Sequence, residues 1–166
     1  VERALNWMFH QSPDDRVMVG QLPTSDWRDE QWVLGFGLYV NTLVNAYLRL
    51  YGLNEEADGL AEILECLDVR ISDGHRHVHE GLAVADKPYY ALWAYKVDNS
   101  ERFDLLGNSL AILTGLASRP RAQAIVEWVE AECAALRERG ELSLDLPPCL
   151  LPYIRPGDPD WRPRYE

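Results

Sequence analysis

The sequence predicts an all-α fold built of antiparallel helix hairpins. Apolar residues recur at spacings of three and four along four stretches of the chain, which is the pattern of amphipathic helices. A short linker joins each pair of stretches, and a long segment without helical periodicity follows each pair. A chain of 166 residues, 47% of them hydrophobic, forms one globular domain or part of one.

The first predicted hairpin lies in the N-terminal half. Residues 1–11 have the pattern of the end of a helix, and residues 12–25 form a loop with two prolines and a glycine. The next helix covers residues 35–51, and Gly52 ends it. Another helix begins at Asn54. Because the linker has about three residues, the two helices are expected to run antiparallel.

Residues 71–103 lack helical periodicity and are rich in histidine and aromatic residues. They predict an extended loop, with the option of a short hairpin that pairs residues 78–84 with residues 89–97. A loop of this length between two helices more often has a function than not.

The second hairpin begins with residues 104–117, a helix that Asp104 caps by accepting N–H groups of the first turn. Six leucine and isoleucine side chains leave almost no polar face, so this helix is expected to be covered on most sides. Gly107 and Asn108 interrupt the apolar run. Gly costs roughly 1 kcal/mol inside a helix, so close packing or an approaching ligand is needed to explain it.

The last predicted helix has Ser118 at its cap and Pro120 in its first turn, and it ends at Gly140. Residues 141–166 hold six of the ten prolines and therefore form neither a helix nor a central strand. Aromatic residues in this tail predict an ordered loop.

Charge and cysteine content restrict the partners and the compartment. The net charge of −11 argues against nucleic acid and anionic membranes, and no apolar run is long enough for a transmembrane helix. The first residues do not resemble a signal peptide. The three cysteines are odd in number and widely spaced, which favours buried thiols and a cytoplasmic location: Cys66, Cys133 and Cys149.

The first candidate site is a short carboxylate-rich motif that immediately precedes a predicted helix. It contains Asp26, Trp27, Arg28 and Asp29. Glycoside hydrolysis needs a protonated carboxyl group that donates to the leaving oxygen, and an apolar wall such as Trp27 favours the protonated form. Indoles also stack on the C–H faces of sugars. The alternative is a helix N-terminus with ordinary capping carboxylates.

A second candidate site contains His75, His77 and His79, which would share one side of a strand. Three imidazoles can bind a transition metal, but no clear fourth ligand accompanies them beyond Glu80 or Asp73. We favour a polar loop that lines a cleft and binds sugar hydroxyls or backbone, with no metal and no organic cofactor.

A third candidate is the aromatic run that includes Tyr89, Trp93 and Tyr95, which strict alternation places on one side of a strand. One side is a candidate platform for a sugar. Because Tyr90, Leu92 and Ala94 make the other side apolar as well, part of the run is expected to be core.

The phrase FDLLGNSLAILTGLA, residues 103–117, resembles the LGN…AI…LA segment of the α/α-toroid glycosidases. These include the neutral and alkaline invertases and the glucosidase part of glycogen-debranching enzymes. Residues 25–49 and 158–166 resemble the same family more weakly. The resemblance implies that residues 1–166 are part of a single (α/α)6 catalytic domain. Its ring of about twelve helices exceeds 300 residues, so the rest would come from the same chain or a partner chain.

The resemblance also implies inverting hydrolysis of an α-glycosidic bond in a carbohydrate substrate. Trp27-Arg28-Asp29 matches the motif that supplies the catalytic acid in this family. The resemblance therefore implies Asp29 as the general acid, with Asp26 as the second choice for that role. Residues 39–43, with the sequence YVNTL, match the family motif E-I-N-A-L. Tyr39 replaces the glutamate of that motif. The family's catalytic base lies beyond residue 166, so the isolated chain is expected to be inactive. The implied substrate contacts are Trp27, Arg28, His75, His77, Tyr89, Trp93 and Asn108.

Two other functions fit the sequence. A sugar epimerase or isomerase of the same toroid type would transfer protons through the three histidines. A non-catalytic helical module for carbohydrate binding or protein interaction would need none of these groups for chemistry.

Overall fold

The computed structural model describes residues 1–12, 18–23, 25–27, 33–65, 81–95 and 98–161. These residues form five helices and a four-stranded antiparallel sheet, so the fold is α+β and the prediction of an all-α ring is wrong. The elements in chain order are α1 (Glu2–Phe9), β1 (Phe36–Gly37), α2 (Leu38–Leu50), α3 (Asn54–Glu65), β2 (Ala91–Tyr95), β3 (Asp98–Asp104), α4 (Leu105–Leu113), α5 (Arg119–Glu138) and β4 (Leu150–Leu151).

The two central strands of the sheet lie in the segment for which the sequence predicts an extended loop with an optional hairpin, whereas β1 lies at the start of a predicted helix and β4 lies in the predicted C-terminal loop. β2 pairs with β3 in a tight antiparallel hairpin, and β1 and β4 pair with the outer edges in the order β1-β2-β3-β4. Of the predicted partner of β2, residues 78–84, the described residues 81–84 contribute an isolated bridge from Ala83 to Tyr90. β1 and β4 have two residues each, which is too short for a period-2 pattern to show in the sequence.

Local signals at the helix ends are confirmed. The carboxylate of Asp104 accepts the N–H groups of Leu106 and Gly107, and the hydroxyl of Ser118 accepts the N–H of Arg121. Gly52 ends α2 with a φ of +76°, and the N–H of Leu53 reaches back to the carbonyl of Leu48. These caps depend on neighbours in the chain, which is why the sequence predicts them.

Buried apolar side chains form two clusters. The larger cluster joins α2, α3 and α4 to one face of the sheet through Ala91, Ala94 and Phe103. The smaller cluster contains Val33, Leu92 and Trp93, with Leu34, Tyr95 and Leu150 packed against it. We call the side of the sheet that carries Trp93 the outer face.

Two expectations about burial are wrong. Only Gly107, Asn108 and Ala111 of α4 are buried, and Leu113 is 80% exposed, so this helix is not covered on most sides in the described chain. Cys133 is buried as expected, whereas Cys149 is exposed; Cys66 lies outside the described residues. Within the described ranges, no helix combines the length and apolarity needed to cross a membrane.

Candidate functional site

A row of three residues crosses the outer face of the sheet. Gly37 of β1 lies opposite Trp93 of β2, and Trp93 lies opposite Ser100 of β3. Residues directly opposite each other in a sheet point to the same face, with Cβ atoms about 4.5–5.5 Å apart. These three positions therefore define one continuous strip, which we call the outer strip.

Gln21 covers the β1 end of the outer strip. Its backbone pairs with Gly35 through two N–H···O=C bonds of 2.8 and 3.1 Å. A Cβ atom on Gly37 would lie 2.3 Å from Gln21 Oε1 and 3.2 Å from a methyl carbon of Val33. Only glycine at position 37 leaves room for the Gln21 amide, so this polar group lies directly on the sheet.

Several polar atoms in and beside the outer strip are buried without a hydrogen-bond partner among the described residues. They are both amide atoms of Gln21 and the indole Nε1 of Trp93, whose residue is only 3% exposed. A buried donor or acceptor left unsatisfied costs about 1–3 kcal/mol. Native proteins rarely tolerate such groups unless a water molecule or a ligand completes them. The outer strip and Gln21 therefore carry polar groups whose hydrogen-bonding capacity the described residues leave unused.

The C-terminal tail is fixed beside the other end of the strip by Arg102. Its guanidinium donates to both carboxylate oxygens of Asp158 at 2.5 Å, to Asp160 Oδ2 at 2.7 Å and to the carbonyl of Pro152 at 2.7 Å. The Ser100 hydroxyl also donates to Asp160 Oδ2, at 3.3 Å. The N–H of Asp160, followed by Arg102, holds the pKa of Asp158 below its usual value of 3.8.

A cleft of about 530 Å³ lies between the strip and the tail. Trp93, Ser100, Arg102, Asp158, Asp160 and Lys87 are among its lining residues. Volumes of this size are typical of small-molecule sites. A second cavity of about 390 Å³ lies beside Gln21, Gly35 and Tyr95. Trp93 thus lines the larger cleft, while Gln21 borders the smaller one.

The structure places part of the predicted acid site near the first turn of α2. The Asp26 carboxylate accepts the N–H of Trp27 at 2.5 Å, and the Trp27 ring lies 6.4 Å from the ring of Tyr39. Trp27 is 47% exposed, so its indole is accessible from solvent. Val33, the first described residue after this segment, packs against Trp93. Val33 therefore lies on the outer face of the sheet.

Several predicted residues lie outside the described part of the chain. They are Arg28, Asp29, His75, His77 and His79, so their roles stay predictions. Within the described ranges, no group of three histidine, cysteine or acidic side chains is arranged to hold a metal ion.

Tyr89 is buried in an aromatic cluster at one wall of the cleft. Its ring lies 5.3 Å from Phe103 and 4.5 Å from Trp128. Burial, followed by repulsion from Glu101 and Glu132, raises the pKa of its hydroxyl. Tyr89 thus supports the cleft wall mainly as a packed ring.

Asn108 is fully buried, and its amide is used within the chain. Oδ1 accepts the N–H of Tyr90 at 2.9 Å, while Nδ2 donates to the carbonyls of Tyr90 and Asp104 at 3.1 and 3.0 Å. In the described structure, Asn108 therefore ties α4 to the start of β2 and presents no group to a ligand.

Sequence reasoning did not identify Gln21, Ser100 or Arg102 as site residues, and it noticed Asp160 only as part of residues 158–166, which resemble a segment of the glycosidase family. Ser100 and Arg102 are neighbours on β3, but Gln21 and Asp160 lie far from them along the chain, and only strand pairing and the folded tail bring these segments together. The glycines at positions 35 and 37 are the one sequence signal near this site, since they mark close approach of other side chains.

No family model matches this chain, and no curated protein matches it. The resemblance to the toroid glycosidases therefore rests on the residues quoted above, and the activity it implies stays a prediction.

Proposed function

We propose that this chain provides the general-acid side of a glycoside hydrolase that acts on α-glycosides. The observation that carries the proposal is the outer strip with Gln21 beside it, where the buried Gln21 amide and the indole N–H of Trp93 have no partner among the described residues. Asp26 and Trp27 lie near the first turn of α2, where the Trp27 ring is 6.4 Å from the ring of Tyr39. The proposal does not require a closed ring of helices.

A sugar suits these groups because each hydroxyl both donates and accepts hydrogen bonds. The Trp93 N–H needs an acceptor, and the Gln21 amide needs both kinds of partner. Polyanions fit poorly, since the chain has a net charge of −11. The half-exposed indole of Trp27 offers a flat apolar surface for the C–H face of a pyranose ring.

In the proposed reaction, Asp29 protonates the glycosidic oxygen as the bond to the anomeric carbon breaks. A second carboxylate, supplied from outside these 166 residues, removes a proton from water as the water attacks the opposite face. Inverting enzymes hold the two carboxyl groups roughly 6.5–9.5 Å apart to leave room for that water. Asp26 is the alternative acid.

The test uses the protein expressed from its complete reading frame, with maltose, isomaltose and sucrose as substrates. Asp29→Asn should lower kcat by about 10²–10⁴ while circular dichroism stays unchanged, because the acid is lost and the shape is kept. Asp145→Asn is the matched control, since the Asp145 side chain is 99% exposed. Inversion is checked by NMR of the first anomer released.

Two results would refute the proposal that this chain is part of a glycoside hydrolase. One is full activity in both Asp29→Asn and Asp26→Asn. The other is saccharide binding without hydrolysis of any of the three substrates, which would favour a non-catalytic carbohydrate-binding module. Turnover by the pure 166-residue chain would instead contradict the prediction that the base lies elsewhere.

A further inference from the structure

We infer that the groove between α4 and α5 binds an alkyl chain that ends in a carboxylate, with the chain between the two helices and the carboxylate on Arg137. The groove shares no lining residue with the cleft beside the outer strip. The inference therefore goes beyond the proposed hydrolase and does not rest on it, since a ligand of this kind is chemically unlike a sugar.

The groove is a cavity of about 460 Å³ whose walls are mostly apolar. A cavity of this size, lined by apolar side chains with a few polar groups, is typical of a small-molecule site. One stripe of each helix contributes to it, since helical positions three or four apart lie on the same face. The apolar side chains on these stripes are Leu105 and Ile112 of α4 and Ile125, Val126, Val129 and Cys133 of α5.

The walls of the groove are only partly covered by the described chain. Ile112 and Val129 are half-buried, and Val126 is 46% exposed. An apolar ligand in the groove would remove this surface from water, which favours binding. Cys133 is buried deeper in the same wall, where a free thiol acts as a small apolar side chain.

The shape of the groove selects an extended ligand. Its lining on α5 extends from Ile125 to Arg137, which is about 18 Å along the helix axis. Spread over that length, the volume of about 460 Å³ leaves a cross-section of only about 25 Å². An extended alkyl chain fits this shape better than a rounded group. Since a short linker joins α4 to α5, Ile112 and Ile125 lie near the linker and Arg137 lies at the other end.

Arg137 supplies the polar end of the groove. Its Nη2 donates to Asp145 Oδ1 at 2.7 Å, and no described residue accepts a hydrogen bond from its Nε or Nη1. The Arg137 side chain is 40% exposed, so a ligand can reach it. One guanidinium can hold two carboxylates at once, as Arg102 does with Asp158 and Asp160 in this chain. A ligand carboxylate can therefore bind Arg137 beside Asp145 through charge-assisted hydrogen bonds.

The competing ligand is an alkyl ammonium ion, since Glu130 and Asp145 also belong to the lining. The Asp145 side chain is 99% exposed and Glu130 is exposed as well, so water screens both carboxylates more than it screens Arg137. Glu130 lies seven residues before Arg137 on α5, about 10 Å along the helix axis, where salt weakens its repulsion of a carboxylate on Arg137.

The experiment titrates the 166-residue chain with decanoate and follows the isoleucine methyl signals by ¹³C NMR. The signals of Ile112 and Ile125 should shift saturably, whereas the signal of Ile63, which does not line the groove, should stay in place. Octanoate should bind roughly tenfold more weakly, because two methylene groups fewer are buried. Decanol and decyltrimethylammonium should bind about tenfold more weakly or less, because neither offers Arg137 a charged acceptor.

Two variants on α5 test the polar end. Arg137→Gln should weaken decanoate binding by about tenfold and leave decanol binding unchanged, because only the carboxylate loses its partner. Arg139→Gln is the matched control and should leave both affinities unchanged. Arg139 also pairs with a carboxylate, that of Glu141 at 2.9 Å, but it does not line the groove. Both arginines are at exposed positions, where substitutions seldom prevent folding.

Each failure has a distinct meaning. Decanoate that leaves the Ile112 and Ile125 signals in place, or that shifts the Ile63 signal equally, overturns the site. Equal affinities for decanoate and decanol, or tighter binding of decyltrimethylammonium, overturn the assignment of a carboxylate ligand. Unchanged decanoate affinity in Arg137→Gln overturns the role of Arg137. None of these results depends on hydrolysis of a sugar, so this inference and the proposed function fail separately.

Discussion

Replacing Asn108 by Ala should destabilise the protein more than any other single polar truncation in α4. The Asn108 amide makes three hydrogen bonds in a site with no solvent exposure, two of them to the backbone of Tyr90. Ala leaves the N–H and the carbonyl of Tyr90 without these partners, and each buried unsatisfied group costs about 1–3 kcal/mol. We expect the free energy of unfolding to fall by about 3–5 kcal/mol, a large share of the total of about 5–15 kcal/mol for a typical domain.

The assay is urea unfolding followed by circular dichroism, with Asn99→Ala as the matched control. Asn99 lies on β3 and its amide donates only to the exposed carboxylate of Glu101, at 3.3 Å. Its replacement should change the free energy of unfolding by no more than about 0.5 kcal/mol. If the two variants differ by less than about 1 kcal/mol, the reasoning that Asn108 ties α4 to β2 is wrong.

Two further predictions concern the sheet and the tail. Gly35→Ala should destabilise the protein by about 1–3 kcal/mol more than Gly52→Ala: both have positive φ, but a Cβ at position 35 would lie 2.4 Å from Tyr95 Cβ whereas position 52 is open. Equal urea midpoints for the two variants would contradict this. The lowered pKa of Asp158 means that its contribution to stability is present above pH 3.8 and is lost as the pH falls through the lower native pKa. Urea midpoints measured from about pH 5 to pH 2 should therefore fall less steeply for Asp158→Asn than for the wild type, and parallel profiles would refute the link.

The helices are the part of the fold that the sequence predicts well. α2, α3, α4 and α5 all appear within a few residues of their predicted limits, and the caps at Asp104 and Ser118 form as expected. Helix bonds and caps join residues three or four apart, so their causes lie inside a short window of sequence. The start of α2 shifts from residue 35 to Leu38, because residues 35–37 are used in sheet pairing.

The sheet could not be predicted in the same way. β1 joins β2 across more than fifty residues of chain, and β4 joins β3 across almost as many. Nothing in the two residues of β1 or of β4 reveals these partners. The alternation assigned to the aromatic run also fails locally, since the pairing of β2 with β3 is irregular between Ala91 and Trp93.

The residues of the candidate site also fall into those that the sequence reveals and those that only the fold reveals. Asp26, Trp27 and Trp93 were recognisable from residue type, because carboxylates and indoles are the groups that sugar chemistry uses. Gln21 carries no such local signal, and Asp160 was noticed only because residues 158–166 resemble a segment of the glycosidase family. Their importance follows from burial without a partner in one case and from fixation by Arg102 in the other.

The sequence by itself determined the four main helices, two of their caps, the acidic character and the types of residue available for chemistry, since each depends on neighbours in the chain or on composition. Only the tertiary structure decided that the chain forms a sheet and that Gly37, Trp93 and Ser100 form one strip across it. It also decided that the Asn108 amide makes its hydrogen bonds to backbone groups rather than to a ligand. Those facts depend on contacts between distant segments, whose partners are chosen by the packing of the whole molecule.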